Sequence, residues 1–328
     1  MGDSALGSPK ISVALCTFNG EQYLKEQLVS ILNQSLAPFE LIISDDNSTD
    51  STLDLIEQYC EAAAFPVTIL SNRSNLGIKA NFEQAISVCT GDYVALADQD
   101  DVWSREKLEV FSRAIVATDL SCPTLFFSDL TLIDSSGRPT GHTFLSKAGV
   151  SPPAKEHYNL LAVGNFSPGC SIVFDRKLVS SILPIPEGAI LHDWWINLIF
   201  SMCGKIERVP VTTMCYRIHA RNNQGISTKA RSLDIGRQKG FVSTARANLL
   251  ATLDQVECAR RRLTETGERY PVVMDQLVDA FNHNNMLRPL LLLRLGIHRG
   301  NGFKTAVTLI ASVFIDRSKI GDNTSRYT

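Results

Sequence analysis

The chain reads as an α/β protein with a Rossmann-like, mostly parallel sheet, helices on both faces and a C-terminal helical extension. Three observations predict this. Four short apolar runs within the first 120 residues are each followed by apolar residues at helical spacing. The connections between these units are short and polar, as right-handed βαβ crossovers require. From about Leu233 onward only helical patterns remain.

Ile11 to Leu15 is the first apolar run, and Leu24, Leu28, Ile31 and Leu32 then recur on one helical face. Leu41 to Ile43 forms the second strand and ends at Asp45 and Asp46. Ser48 to Asp50 supplies capping side chains to a helix carrying Leu53 and Ile56. Val67 to Leu70 is the third strand, and Phe82, Ala85, Ile86 and Cys89 mark the third helix. Val94 to Ala97 is the fourth, bounded by Gly91, with Leu108, Phe111 and Ile115 on the helix after it. Leu125 to Phe127, Ile172 to Phe174 and Val209 to Tyr216 read as later strands. The Gly- and Pro-containing stretch from Gly137 to Pro153 is predicted to be a mobile loop. The expected division is a leader over 1–9, an α/β domain over 10–228 with halves at about 10–120 and 121–228, and a helical region over 229–328.

At 328 residues the chain accommodates one large α/β domain and an appendage. Its eight cysteines form no CxxC pair, and most lie in apolar runs, which points to a reducing, cytoplasmic setting. Neither a signal peptide nor an uncharged stretch of membrane-spanning length is expected. Charge is unevenly spread: residues 229–328 carry +7, whereas the first 228 residues carry −9. The segment from Phe303 to Ile315 places Val307, Ile310, Ala311 and Phe314 on one face, flanked by Arg299, Lys304, Arg317 and Lys319. This pattern suits peripheral contact at the inner face of the membrane; a helix covering the core or a dimer contact explains it equally well. No nucleic-acid partner is expected.

The chemistry concentrates at strand ends, where open α/β sheets bind ligands. DYVALADQDDVW, residues 92–103, delivers Asp98, Asp100 and Asp101 to one point. Carboxylates packed this closely need a compensating cation, and hard oxygen donors suit Mg²⁺ or Mn²⁺ holding a phosphate. Asp46, with Asp45 beside it, can accept a hydrogen bond from the ring N–H of a pyrimidine. Gly169, in the SPGCS turn, permits close backbone approach.

Taken together, TFNGEQYL, ELIISDDNSTD, NLGIKANF, ADQDDVW, HDWW and YRIHARNNQG resemble the inverting nucleotide-sugar glycosyltransferases of family 2, which have the GT-A fold. The resemblance covers about residues 10–226 with the motifs in family order. It implies that Thr17, Asn19, Glu21 and Asp46 surround the nucleoside and that Asn75, Gly77 and Asn81 line the donor pocket. By the same resemblance Asp100 is the main metal ligand, Asp98 lies near the ribose or cation, and His219 approaches the metal or diphosphate. Arg217 is expected to neutralise leaving-group charge. Asp193 matches the general base; His192, just before it, stands where an acid is commoner. Trp194 and Trp195 are expected to form an acceptor platform, and by the resemblance the group approaching the Gly169 backbone is the acceptor. The implied donor is a nucleotide sugar, dTDP-L-rhamnose by the branch most similar, or a UDP-hexose. The implied acceptor is a saccharide or lipid-linked saccharide of a bacterial surface polysaccharide such as O-antigen. Two other classes stay open: Asp98 to Val102 satisfies the DxDxV pattern of aspartyl-nucleophile phosphatases, and a non-catalytic sugar-binding protein could keep the fold. Oligomerisation is compatible with all of them.

Overall fold

A computed structural model describes residues 8–119, 121–153, 157–220, 241–282, 288–297, 305, 309–310 and 312–313. A nine-stranded sheet forms its centre. The first half alternates β1 (Ile11–Thr17), α1 (Leu24–Leu32), β2 (Glu40–Asp45), α2 (Thr52–Cys60), β3 (Val67–Ser71), α3 (Ile78–Val88) and β4 (Tyr93–Asp98). These four strands lie parallel in the order β3-β2-β1-β4. β5 (Val102–Trp103) and α4 (Lys107–Ala117) follow, then β6 (Thr124–Ile133), β7 (Pro139–Thr143), α5 (Phe144–Ala148) and α6 (Tyr158–Leu161). β8 (Ile172–Asp175), α7 (Val179–Ile182), α8 (His192–Cys203) and β9 (Lys205–Arg217) complete the sheet domain.

Beyond β4 the order continues β8-β6-β9-β5 with mixed directions: β8 is antiparallel to both neighbours, while β6 and β9 are parallel. The expected helical extension is present as α9 (Phe241–Thr266), α10 (Val273–Asn282) and α11 (Arg288–Arg294). No helix among the described residues is long and apolar enough to cross a membrane. Val307, Ala311 and Phe314 of the expected amphipathic face lie outside the described residues, as do Arg299, Lys304, Arg317 and Lys319.

The apolar runs become central strands because both sheet faces are covered. Along β1 successive side chains alternate between two cores. Ala14 and Cys16 join Phe82 and Ile86 of α3 and Trp195 and Ile199 of α8. Val13 and Leu15 join Leu24, Leu28 and Ile31 of α1 and Phe111 of α4. Each buried Leu, Ile or Phe contributes about 1.5–3 kcal/mol relative to exposure, so register is strongly specified.

The stretch from Gly137 to Pro153 is not the irregular loop that its composition predicts. β7 pairs antiparallel with β6, and α5 starts with a capping box between Thr143 and Ser146. Asp129 accepts the Leu145 amide at 3.0 Å, and Leu145 is buried. Glycines at Gly137, Gly141 and Gly149 take positive φ and make the turns rather than abolish structure.

Candidate active site

The carboxyl ends of β1, β2 and β4, the start of α3, the Gly169 turn and the start of α8 surround one cavity of about 980 Å³. β1 and β2 are stitched together at this edge. Thr17 Oγ1 donates to Asp45 Oδ1 at 2.7 Å, and Ser48 donates to Asp45 through its amide (2.8 Å) and its hydroxyl (2.6 Å). Asp45 is therefore fully occupied and fully buried. Asn19, at φ +47°, accepts the Thr49 amide at 2.8 Å and holds the β1 end against the β2 loop.

Asp46 organises the third wall. Its Oδ1 accepts the Leu76 amide at 2.7 Å and its Oδ2 the Gly77 amide at 2.9 Å. Gly77 sits at φ +83°, a left-handed conformation that suits glycine, and opens α3. Asn81, one turn on, donates to the Ser44 carbonyl at 2.9 Å. Thr17, Asn19, Asp46, Asn75, Gly77 and Asn81 all line the cavity. Glu21 does not: it is exposed and accepts the Ser51 amide at 3.1 Å, ahead of α2.

The β4 end brings Asp98 and Asp100 to the cavity together with His219, whose Nε2 lies 2.8 Å from Asp100 Oδ2. Burial, followed by the charges of Asp100 and Asp193, pushes the Asp98 carboxyl above the ordinary carboxylate range. Asp101 turns the other way. It is completely buried, and its Oδ1 accepts the Arg217 amide at 3.1 Å. Asp98, Asp101 and the Cys170 thiol place ligand atoms within 4.8 Å of one another. That group shares its surroundings with a cation, because Lys107, fully buried, donates to the Cys170 carbonyl at 2.6 Å and lies over the Trp103 ring at 4.1 Å. Its ammonium interacts electrostatically with Asp101 and Asp98. The cavity-facing set offers the carboxylate oxygens of Asp100 and Asp98, which a hard divalent ion takes, with the His219 imidazole beside them.

Arg217 departs from its expected place. It is 1% exposed and is not among the cavity-lining residues. Its Nε donates to the Asp100 carbonyl at 2.9 Å, its second guanidinium nitrogen pairs with Glu26 at 2.8 Å, and Tyr23 stacks on it at 4.6 Å. β5 holds the same loop by pairing Val102 with Cys215 and Trp103 with Met214. Arg217 thus fastens the aspartate loop from behind. Arg217→Met is expected to destabilise the fold by about 2–3 kcal/mol, the worth of hydrogen bonds to a charged group. A thermal melt unchanged from the parent's, with donor affinity lost, would instead place the guanidinium on the ligand.

Opposite the aspartate loop, α8 presents Asp193 in its first turn. The helix N-cap is Leu191, and Asp193 accepts the Trp194 amide at 2.6 Å and the Gly169 amide at 3.1 Å. Burial pushes its carboxyl up to about 6, while those two amides pull it partly back. Trp194 lines the cavity, anchored by its indole N–H to the Leu161 carbonyl at 2.6 Å. Trp195 does not, and the expected two-tryptophan platform is a single ring. Neighbours on a helix point about 100° apart, so Trp195 enters the core, donating to the Ile182 carbonyl at 2.8 Å. Phe18, Tyr23 and Gln99, inside the TFNGEQYL and ADQDDVW motifs but given no role there, also line the cavity, as do Phe144 and Asn165, which lie outside every motif.

Comparisons with known proteins agree with this arrangement. The model of the family described as "Glycosyl transferase family 2" matches residues 12–148. The "Putative teichuronic acid biosynthesis glycosyltransferase TuaG" of Bacillus subtilis (strain 168) is 32% identical over 194 residues, which are 58% of this chain and 72% of TuaG. RfbG of Shigella flexneri, named as a dTDP-rhamnosyl transferase, is 29% identical over 238 residues, 68% of this chain and 78% of RfbG. Among solved structures, residues 1–349 of S. aureus TarS in complex with UDP superpose with a TM-score of 0.54 at 18% identity, covering 93% of this chain and 89% of that one. The shared architecture is the GT-A type that the motifs imply. On its motifs and on these matches, the chain belongs to glycosyl transferase family 2.

Proposed function

We propose that this protein transfers a sugar from a nucleotide-sugar donor to a saccharide or lipid-linked acceptor, with inversion, in the synthesis of a bacterial surface polysaccharide. The observation that carries this reading is that the buried carboxylate of Asp193 faces the same cavity as Asp98, Asp100 and His219. The walls formed by Thr17, Asn19, Asp46, Asn75, Gly77 and Asn81 supply polar groups for the nucleoside side of the donor, and Trp194 and Gly169 border the acceptor side. The acceptor hydroxyl oxygen attacks the anomeric carbon and passes its proton to the Asp193 carboxylate as the bond to the leaving diphosphate breaks. Asp100, with Asp98 and His219, would hold Mg²⁺ or Mn²⁺, which when bound neutralises charge on the diphosphate. The similarity to RfbG supports dTDP-L-rhamnose as the donor.

The test is to incubate the purified protein with dTDP-L-rhamnose, UDP-glucose, UDP-galactose and UDP-N-acetylglucosamine, with and without Mn²⁺, and to follow nucleotide release. Release from dTDP-L-rhamnose above the others is expected. Preference for a UDP-hexose would overturn the rhamnose assignment, and absence of both nucleotide release and calorimetric binding for every donor would overturn the transferase reading.

We also propose peripheral attachment to an anionic membrane through the basic C-terminal region. Its +7 balance supports this, as do Leu290, Leu293 and Ile310, which are exposed at 64%, 55% and 53%. Each basic side chain near an anionic surface contributes about 1 kcal/mol. Co-flotation with anionic liposomes is expected at low salt, is expected to disappear at high salt and is expected to weaken on truncation after Arg294. Absence of binding at low salt would leave these helices a structural role only.

A further inference from the structure

His192 is the first residue of α8 and lines the cavity beside Asp193. It is 4% exposed, and its ring stacks on Phe82 at 3.9 Å and 14°. Among the described residues neither Nδ1 nor Nε2 has a hydrogen-bond partner. Burying both polar atoms of an imidazole unpaired is unfavourable, a cost that a ligand pairing with them would relieve. The ring packs against the Gly169 turn: a Cβ on Gly169 would lie 2.9 Å from His192 Nε2 and 3.4 Å from Asp193 Cβ, so a larger residue there would displace the imidazole.

Position decides which ligand group arrives there. Phe82 lies on α3, the helix that opens at Gly77 and carries Asn81, both on the proposed donor side. The imidazole thus stands between the donor wall and the carboxylate that receives the acceptor's proton. We propose that His192 is a specificity residue whose ring nitrogens hydrogen-bond hydroxyl groups of the transferred sugar; this rests on reading the cavity as a nucleotide-sugar site. Burial pushes the imidazole down to about 3, so the ring is neutral, with one donor and one acceptor. A hydroxyl offers the same pair. A carboxylate or ammonium on the sugar satisfies only half of it and must also be desolvated.

His192→Phe keeps the stacked ring and removes both nitrogens, whereas His192→Gln restores a neutral donor and acceptor. The readouts are thermal melting, calorimetric affinity for UDP and dTDP with Mn²⁺, and KM and kcat for the four nucleotide sugars. His192→Phe is expected to melt no lower than the parent and to bind the nucleoside diphosphates within twofold. It is expected to raise KM for the preferred nucleotide sugar at least tenfold and to narrow selectivity across the four, with partial recovery in His192→Gln. A site built around a sugar hydroxyl loses discrimination when its partner is removed. Parent-like KM and selectivity in His192→Phe would overturn the inference alone. Joint loss of stability and diphosphate affinity, unrecovered by Gln, would make His192 a packing residue. Failure of the parent itself to bind any nucleotide sugar would overturn the transferase reading, and this inference with it.

Discussion

Asp193→Asn is expected to lower kcat by about 10² to 10⁴, the typical cost of removing a general base, while affinity for the donor changes little. The carboxamide keeps the shape of the carboxylate and an oxygen that can accept the Trp194 or Gly169 amide, so α8 retains much of its N-terminal satisfaction. The pH profile makes the expectation sharper. Burial raises this carboxyl to about 6, and only its ionised form can take the acceptor's proton. As pH falls through about 6 the base becomes protonated and kcat/KM is expected to drop towards tenfold per pH unit; above about 7 this group leaves a plateau. The residual activity of Asp193→Asn is expected to lack that acidic limb. A base facing the leaving group implies single displacement, so the product's anomeric configuration should be opposite to the donor's. Retention of configuration, or unchanged turnover in Asp193→Asn, would remove Asp193 from the reaction.

Chelation of divalent cations, or Asp100→Ala, is expected to cost roughly three orders of magnitude in turnover, because a bound cation supplies several kcal/mol of charge stabilisation. The substitution tests the ligand role cleanly for a structural reason. Arg217 fastens this loop through the Asp100 carbonyl and β5 through backbone pairing, and both survive truncation of the side chain. The circular dichroism spectrum and melting temperature should therefore match the parent's, while Mn²⁺-dependent affinity for UDP or dTDP disappears. His219→Ala should weaken the same affinity in part, since its Nε2 lies 2.8 Å from Asp100. Full activity in EDTA would dismiss the cation altogether.

The sequence by itself determined the four parallel βα units and the strand end at which the acidic residues meet. Both are short-range consequences of pattern: a fully apolar run between turn residues is buried on both faces, and apolar residues at spacings of three and four make a helix with one buried side. Asp98 and Asp100 were legible because they terminate such a run, and Asp193 because a recognisable motif carries it. Tertiary structure decided what distance in the chain conceals. An arginine at a strand end reads as a ligand contact, yet Arg217 is buried because Glu26, 191 residues away, and the Asp100 carbonyl receive its guanidinium. Glu21 and Asp46 read alike as acids beside a nucleoside; packing sends one to the Ser51 amide outside the cavity and leaves the other on its wall. Trp194 and Trp195 are adjacent letters separated by a third of a helical turn, and only the docking of α8 determines which ring meets the cavity. β7 forms from a glycine-containing segment because β6 offers an edge to pair with, a non-local hydrogen-bonding opportunity that local propensity does not encode. The unpaired imidazole of His192 belongs to the same class, because hydrogen-bond satisfaction is a property of the packed neighbourhood and not of the residue.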